Sequence, residues 1–431
     1  MKVARSEPVR VHAAAGVAAA ADEFYFLSNL DQNVAGLMKT VHVFTSPERC
    51  TDDAAALIRD ALGRVLPHYH PFEGRLVVRD DGRLAVRTGR DDRRGVPFVE
   101  AAADCYLRDV VDASAPDDGE VDRLAELVYA DAESEEAAAL DTPLLTVQVT
   151  RFRCGGFVLG LAMNHCLADG QSAAEFLRSW AEAARGAPLS APPRIDRGVL
   201  RARPVPTIAF PHEEFAEIED VSGLAGEPCV RRSFAFDAGK LERLKRAASE
   251  GSATPPCSTF VALTAFVWAA RTRALRMLPE QRSKLLFAVD VRRRIYPPLP
   301  RGFWGNAVVF ACCVASAGDL LGGPLSAAAR AVGDAVARVG DAFVRSAVDY
   351  VELHRGARPS LTATTLVTSW RRLGFRAADF GWGEAAWSGP AEVPRDVVML
   401  LRGARDPDGT VLLLGLPRSC MQDFQEMVDL L

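Results

Sequence analysis

The sequence predicts a mixed α/β (α+β) protein with two sheet-containing domains, and three observations carry that expectation. The chain has 431 residues, enough for two domains with a core each. Strand-like and helix-like apolar patterns alternate in both halves, without the regular spacing of βαβ units and without an internal repeat. Between the halves, Gly186 to Pro211 carries Pro188, Pro192, Pro193, Pro204, Pro206 and Pro211. Proline removes backbone donors and clashes inside helices, so that stretch reads as a linker. The expected boundaries are 1–185, a crossover over 186–225, and 226–431.

In the first half, Phe24-Tyr-Phe-Leu-Ser28-Asn-Leu-Asp31-Gln leads from an aromatic strand into a polar turn. Leu37 to Phe44 alternates as a strand does. Thr51-Asp52 are expected to cap a helix running to Val65, which Pro67 ends. Gly74 to Arg79 and Arg83 to Arg87 flank Asp81-Gly82, a type I′ hairpin signal. The acidic stretch from Asp117 to Glu136 reads as a partly helical solvated face. Leu145, Val147 and Val149 alternate, and Cys154-Gly155-Gly156 turns that strand into the next. In the second half, strands are expected over Val230–Phe236, Leu285–Val289, Ala363–Trp370, Val397–Leu401 and Val411–Leu416. Helices are expected over Gly239–Ala248, Ser258–Ala274 and most of Leu325–Tyr350, with a short one at the end of the chain.

The most informative stretch is Phe157-Val-Leu-Gly-Leu-Ala-Met-Asn-His165-Cys-Leu-Ala-Asp169-Gly170-Gln-Ser172-Ala-Ala-Glu175. Its apolar run reads as a buried strand, Asp169-Gly170 as a turn, and Ser172 to Glu175 as a capping box opening a helix with Phe176, Leu177 and Trp180 on its apolar face. His165 therefore stands at a strand end, where a side chain faces a cleft on a fixed backbone. An imidazole placed so suits general-base work. A satisfied core histidine is the plainer alternative. A metal site pairing His165 with Asp169 lacks a third ligand nearby. Cys166 is a possible nucleophile, but in an extended segment it points to the face opposite its neighbour.

Composition narrows the classes. The hydrophobic fraction of 49% with 25% charged residues is that of a soluble globular protein. A net charge of −5 gives no basic footprint for nucleic acid or anionic membrane. No apolar run reaches the roughly 20 residues that span a bilayer. Ala13 to Ala21 lacks a signal-peptide core, so the expected location is the cytosol. Nine cysteines without a paired framework fit reduced thiols.

His165-Cys-Leu-Ala-Asp169-Gly170 resembles the HxxxDG motif of plant BAHD acyltransferases, and Asp379-Phe-Gly381-Trp382-Gly383 matches their DFGWG motif. Leu27-Ser-Asn-Leu-Asp31, Gly74-Arg75-Leu76, Arg292 with Asn306, and Trp370 fall in family order, so the resemblance runs end to end. Tyr25 to Gln32, Leu285 to Asp290, Arg358 to Thr362 and Arg372 to Phe375 look most like the hydroxycinnamoyl-CoA transferases that feruloylate ω-hydroxy fatty acids and fatty alcohols. The resemblance implies two chloramphenicol-acetyltransferase-like domains joined by a long crossover loop, with a channel between them. It also implies a cytosolic monomer without metal or bound cofactor, acyl-CoA being a co-substrate.

The same resemblance assigns roles. His165 would be the base. Trp370 is a candidate oxyanion donor, with Thr368 beside it orienting the acceptor. Asp169 would turn from the histidine to pair with Arg292, braced by Asn306 and Asp31. Gly381, Trp382 and Gly383 would shape a supporting loop, Asp379 being either structural or catalytic. Thr40 and His42, where relatives often carry Tyr, would line the acceptor side. Ser258, Thr259, Lys284 and Arg294 are the candidates for CoA phosphates. The expected reaction moves a feruloyl or coumaroyl group from CoA to a long-chain alcohol or ω-hydroxy acid. Transfer to a polyamine or aryl amine is the alternative, and a non-catalytic role in fatty-acid elongation is a third.

Overall fold

Two large sheets and one small sheet make up the protein. The computed structural model describes all residues except 15–22, 46–52, 90–92, 111–122, 131–139, 141, 220–222, 225, 252–256, 404–405 and 407. The expected cap at Thr51-Asp52, most of Ala13 to Ala21 and most of the acidic 117–136 stretch lie outside the described residues.

The first sheet runs in the order Val3–Arg5, Val96–Ala103, Leu145–Arg151, Phe157–Asn164, Leu37–Phe44, Trp387–Pro390, with Val9–Val11 also on the 96–103 strand. The strand Phe157–Asn164 is buried at all eight positions, which is why it reads as an unbroken apolar run. Both its neighbours are antiparallel to it, Leu145–Arg151 on one side and Leu37–Phe44 on the other. Helices Ala54–Val65 and Gly170–Ala184 pack together on one face, where Trp180 donates from Nε1 to Ile58 O at 2.9 Å.

The second sheet runs Cys229–Phe236, Thr410–Pro417, Val397–Arg402, Thr364–Ser369, Arg282–Asp290, Val308–Ser316. Helix Thr259–Ala274 packs on it within the largest apolar cluster, together with Ala238–Ala248, Leu325–Arg338 and Asp341–Leu353. A separate cluster joins the two sheets: Val41, Val43, Val158 and Ala162 of the first meet Met399, Leu401, Val411 and Leu413 of the second. All eight are buried, so the seam is packed as a core is rather than as a loose domain contact.

Several expectations change in detail. The 157–184 helix start is capped by Asp169, whose Oδ1 accepts from Ser172 N at 2.9 Å, so the helix begins at Gly170 and not at a Ser172 capping box. The hairpin strands end at Val78 and resume at Leu84, a loop too long for a two-residue type I′ turn. The 325–350 helix breaks at Val339-Gly340 into two. Strands 96–103, 308–316 and 387–390 have no counterpart in the sequence reading. The last belongs to the second half by sequence but completes the edge of the first sheet, pairing antiparallel with Thr40–Val43. Among its described residues the crossover holds the short turns Gly198–Leu200 and Glu213–Phe215 and an isolated bridge from Arg194 to Phe303, but no longer element, as its prolines dictate.

Candidate active site

His165 follows the last residue of strand 157–164, and its backbone N–H donates to Gly36 O at 2.7 Å, beside the next strand of the sheet. The imidazole is half-buried and faces a cavity. Its Nδ1 lies 3.1 Å from Asn306 Oδ1. The amide nitrogen of Asn306 donates to Asp31 Oδ1 at 2.9 Å and to His165 O at 2.8 Å, so both its hydrogens are taken. The Asn306 oxygen is therefore an acceptor, and the proton between the two side chains belongs to His165 Nδ1. That fixes the tautomer: Nε2 carries the free lone pair, as a general base requires.

Asp31 anchors the far end of this chain. Its carboxylate accepts from Ser28 N and Oγ, both at 2.7 Å, and from the backbone and side-chain nitrogens of Asn306. Asp169 turns away from the histidine. Its two oxygens receive Arg292 Nη1 and Nη2, each at 2.8 Å, and also Ser172 N and Ala307 N at 2.9 Å. Burial alone would raise this carboxyl's pKa, but the Arg292 guanidinium and the two backbone N–H groups outweigh it and hold the group below its ordinary range. Asp169 is thus a charged clamp between the His165 loop and the segment after strand 282–290. Cys166 is buried, and burial pushes its thiol up to about 12, which leaves it protonated and unsuited to nucleophilic attack.

The cavity measures about 440 Å³ and takes its walls from both halves. Beside His165 and Asp169 stand Leu37 and Met38; opposite them are Leu366, Thr368, Trp370 and Met399. Trp370 follows strand 364–369 directly, and its ring packs on Phe375 at 5.2 Å between centroids. Thr368 and Trp370 are therefore brought to the same cavity as the imidazole. Thr40 and His42 are not among its lining residues. They are buried, 3.2 Å apart, with His42 Nδ1 3.1 Å from Ser388 Oγ and its ring against Phe375, one layer behind Trp370. Burial drops the His42 pKa to about 3, so it is neutral and acts on the cavity only through packing.

Asp379 is tied into its own loop. Its Oδ1 accepts from Gly381 N at 2.7 Å and Gly383 N at 2.8 Å, and it does not line the cavity. Gly381 and Gly383 have φ of 106° and 84°, a conformation open to glycine and strained for other residues. The loop seats Phe380 and Trp382 against Trp180 and Phe157 of the first half. Asp379→Asn is expected to keep turnover within a few-fold, because an amide oxygen still accepts both bonds. Asp379→Ala should lower stability by about 1–3 kcal/mol through the unpaired N–H groups, as measured by denaturant midpoints.

None of the four CoA candidates lines the cavity. Lys284 is buried and donates to Ala216 O at 2.6 Å, and burial lowers its pKa. Arg294 donates to Val336 O and Val339 O at 2.8 and 2.9 Å. Both cations are engaged by backbone carbonyls and are absent from the cavity wall. Ser258 is the exposed cap of helix 259–274, accepting from Val261 N, with Thr259 next to it. Among the described residues, no group of three or more His, Cys, Asp and Glu side chains is placed to hold a metal ion. Among them, too, no helix is long and apolar enough to cross a membrane. Two site residues escaped the sequence reading: Ser172, whose hydroxyl bridges Gly305 to the Asp169–Arg292 pair, and Arg197 of the crossover. The capping-box pattern pointed Ser172 at its own helix instead, and nothing in a Pro-rich stretch marks an arginine as buried.

Two sheets meet over a histidine in a shared cavity, and the chain belongs to the Transferase family, the BAHD acyltransferases, whose family model matches residues 14–431. It is 46% identical over 410 residues to omega-hydroxypalmitate O-feruloyl transferase of Arabidopsis thaliana, covering 93% of this chain and 88% of the relative. It is likewise 46% identical over 434 residues to fatty alcohol:caffeoyl-CoA acyltransferase of the same plant, covering 99% and 98%. Among solved structures, vinorine synthase superposes with a TM-score of 0.78 at 20% identity, covering 100% of this chain and 98% of that one. TRI101 of F. graminearum, complexed with coenzyme A and deoxynivalenol, gives 0.74 at 16% identity, covering 94% and 97%. At those identities the likeness speaks for the fold.

Proposed function

We propose that the protein transfers a hydroxycinnamoyl group, feruloyl, coumaroyl or caffeoyl, from CoA to the hydroxyl of a long-chain alcohol or ω-hydroxy fatty acid in the cytosol. The observation that carries this reading is His165, fixed as its Nδ1–H tautomer with Nε2 free beside an apolar cavity shared by both halves. In the reaction, the acceptor oxygen attacks the thioester carbonyl while Nε2 takes its proton. The tetrahedral oxyanion needs a donor, and the indole N–H of Trp370, on the same cavity, is the group proposed for it. Collapse breaks the carbon–sulfur bond, and the proton on His165 passes to the CoA thiolate, leaving ester and free thiol. Asp169, Arg292, Asn306 and Asp31 hold the base, and the reaction uses no other cofactor.

The cavity wall favours an aliphatic acceptor over a cationic amine. Its charged members are already paired: Lys39 with Glu392 at 2.5 Å, and Arg292 with Asp169 and Asp290. The remainder is largely aliphatic and aromatic, including Leu37, Val308, Phe310, Leu366 and Val397. An unpaired carboxylate that would draw an ammonium group is missing from that described lining. The names of the two Arabidopsis relatives support the same acceptors and donors. The test is CoA release from feruloyl-, coumaroyl- and caffeoyl-CoA against fatty alcohols, ω-hydroxy acids and amines. Fatty alcohols or ω-hydroxy acids should give at least about tenfold higher kcat/KM than any amine, a difference of about 1.4 kcal/mol in transition-state binding. A preferred polyamine or aryl amine would reverse the reading.

A further inference from the structure

Arg197 lies in the crossover, yet its side chain is completely buried. A buried guanidinium is costly unless fully paired, so its partners indicate what it holds. Nη1 donates to Cys166 O at 3.0 Å and pairs with Asp31 Oδ2 at 3.0 Å; Nη2 donates to Leu167 O at 2.5 Å. Those carbonyls belong to the two residues directly after His165. The cation also faces the rings of Tyr25 and Trp304, 5.0 and 5.3 Å from their centroids. Gly305 passes so close that a Cβ there would lie 2.7 Å from Arg197 Nε.

Arg197 therefore reaches the imidazole by two routes. One is the backbone that follows His165. The other is Asp31, whose second oxygen orients Asn306, which in turn accepts the His165 Nδ1 proton. A linker that merely joined two domains would need neither contact. We infer that Arg197 is a positioning residue for acyl transfer: it ties the crossover to the His165 loop and to Asp31, and so keeps Nε2 aimed into the cavity. The inference rests on His165 as the base.

Arg197→Lys keeps the charge facing Asp31 but loses the planar fork that spans two carbonyls. In the full-length protein, its kcat should fall about 100-fold, the scale of a 1 Å misplacement of a reacting group. KM for acyl-CoA and acceptor should stay within threefold, with near-ultraviolet circular dichroism unchanged. Arg197→Gln keeps a donor for one of the two carbonyls, leaves Asp31 its bonds from Ser28 and Asn306, and should give the same split between kcat and KM, which covers the case of a lysine variant that fails to fold. Wild-type kcat in either folded variant overturns the inference. His165→Ala, assayed alongside, separates the two levels: retained turnover there removes the base itself, whereas its loss together with wild-type kcat in Arg197→Lys removes only the role of Arg197.

Discussion

His165→Ala is expected to lower kcat by about 10²–10⁴-fold, the range a positioned general base contributes. KM for both substrates should change little, because the imidazole is one element of a wall that also includes Leu37, Met38, Leu366 and Trp370. Folding should survive as well. The lost side-chain bond is the one to Asn306 Oδ1, at the edge of a cavity where water can replace it, while Asn306 keeps its bonds to Asp31 and to the backbone carbonyl of residue 165. Release of free CoA thiol reads the rate, and thermal unfolding reads the fold. Turnover within threefold of wild type would remove the base and with it the proton path proposed above.

The second large effect is on stability. Arg292→Leu leaves Asp169, buried to 3% side-chain exposure, without its cation, and should cost about 3–5 kcal/mol. Asp169→Asn/Arg292→Leu, which removes both charges, should recover part of that loss. The pair also sets a pH dependence. Folding lowers the Asp169 pKa, so its contribution is complete above the unfolded carboxylate range near pH 4 and drains away as the pH falls through the lower folded value. Urea midpoints between pH 7 and pH 3 should therefore fall less steeply in the double variant than in wild type. Parallel slopes would show that the clamp adds nothing to acid sensitivity.

Much of this site was legible because its local and tertiary signals agree. The strand before His165 is a continuous apolar run because both its faces are covered, and the helix after it has a clear apolar stripe. The Asp169–Arg292 pair followed from family resemblance, and the bidentate geometry bears it out. Other parts were hidden for physical reasons. Strand 96–103 contains Pro97 and ends in Ala101-Ala-Ala103, neither of which carries strand propensity. Trp387-Ser-Gly-Pro390 is too short and too turn-like to read as a strand, and only backbone pairing with Thr40–Val43 makes it one. For Lys284 and Arg294 a sequence shows the charge but not the carbonyls of residues 216, 336 and 339 to which they donate. Arg197 stayed hidden because nothing in a proline-rich linker marks one of its arginines as buried.

Strand 387–390 bears on how the polypeptide is made. Until residue 390 has left the ribosome, the strand 37–44 edge of the first sheet has nothing to pair with, although the rest of that sheet was translated long before. Its unpaired N–H and C=O groups are a template for association with other nascent chains during that interval. The N-terminal half expressed alone would carry the same open edge permanently, and a chaperone that shields it during synthesis would act on yield rather than on final stability.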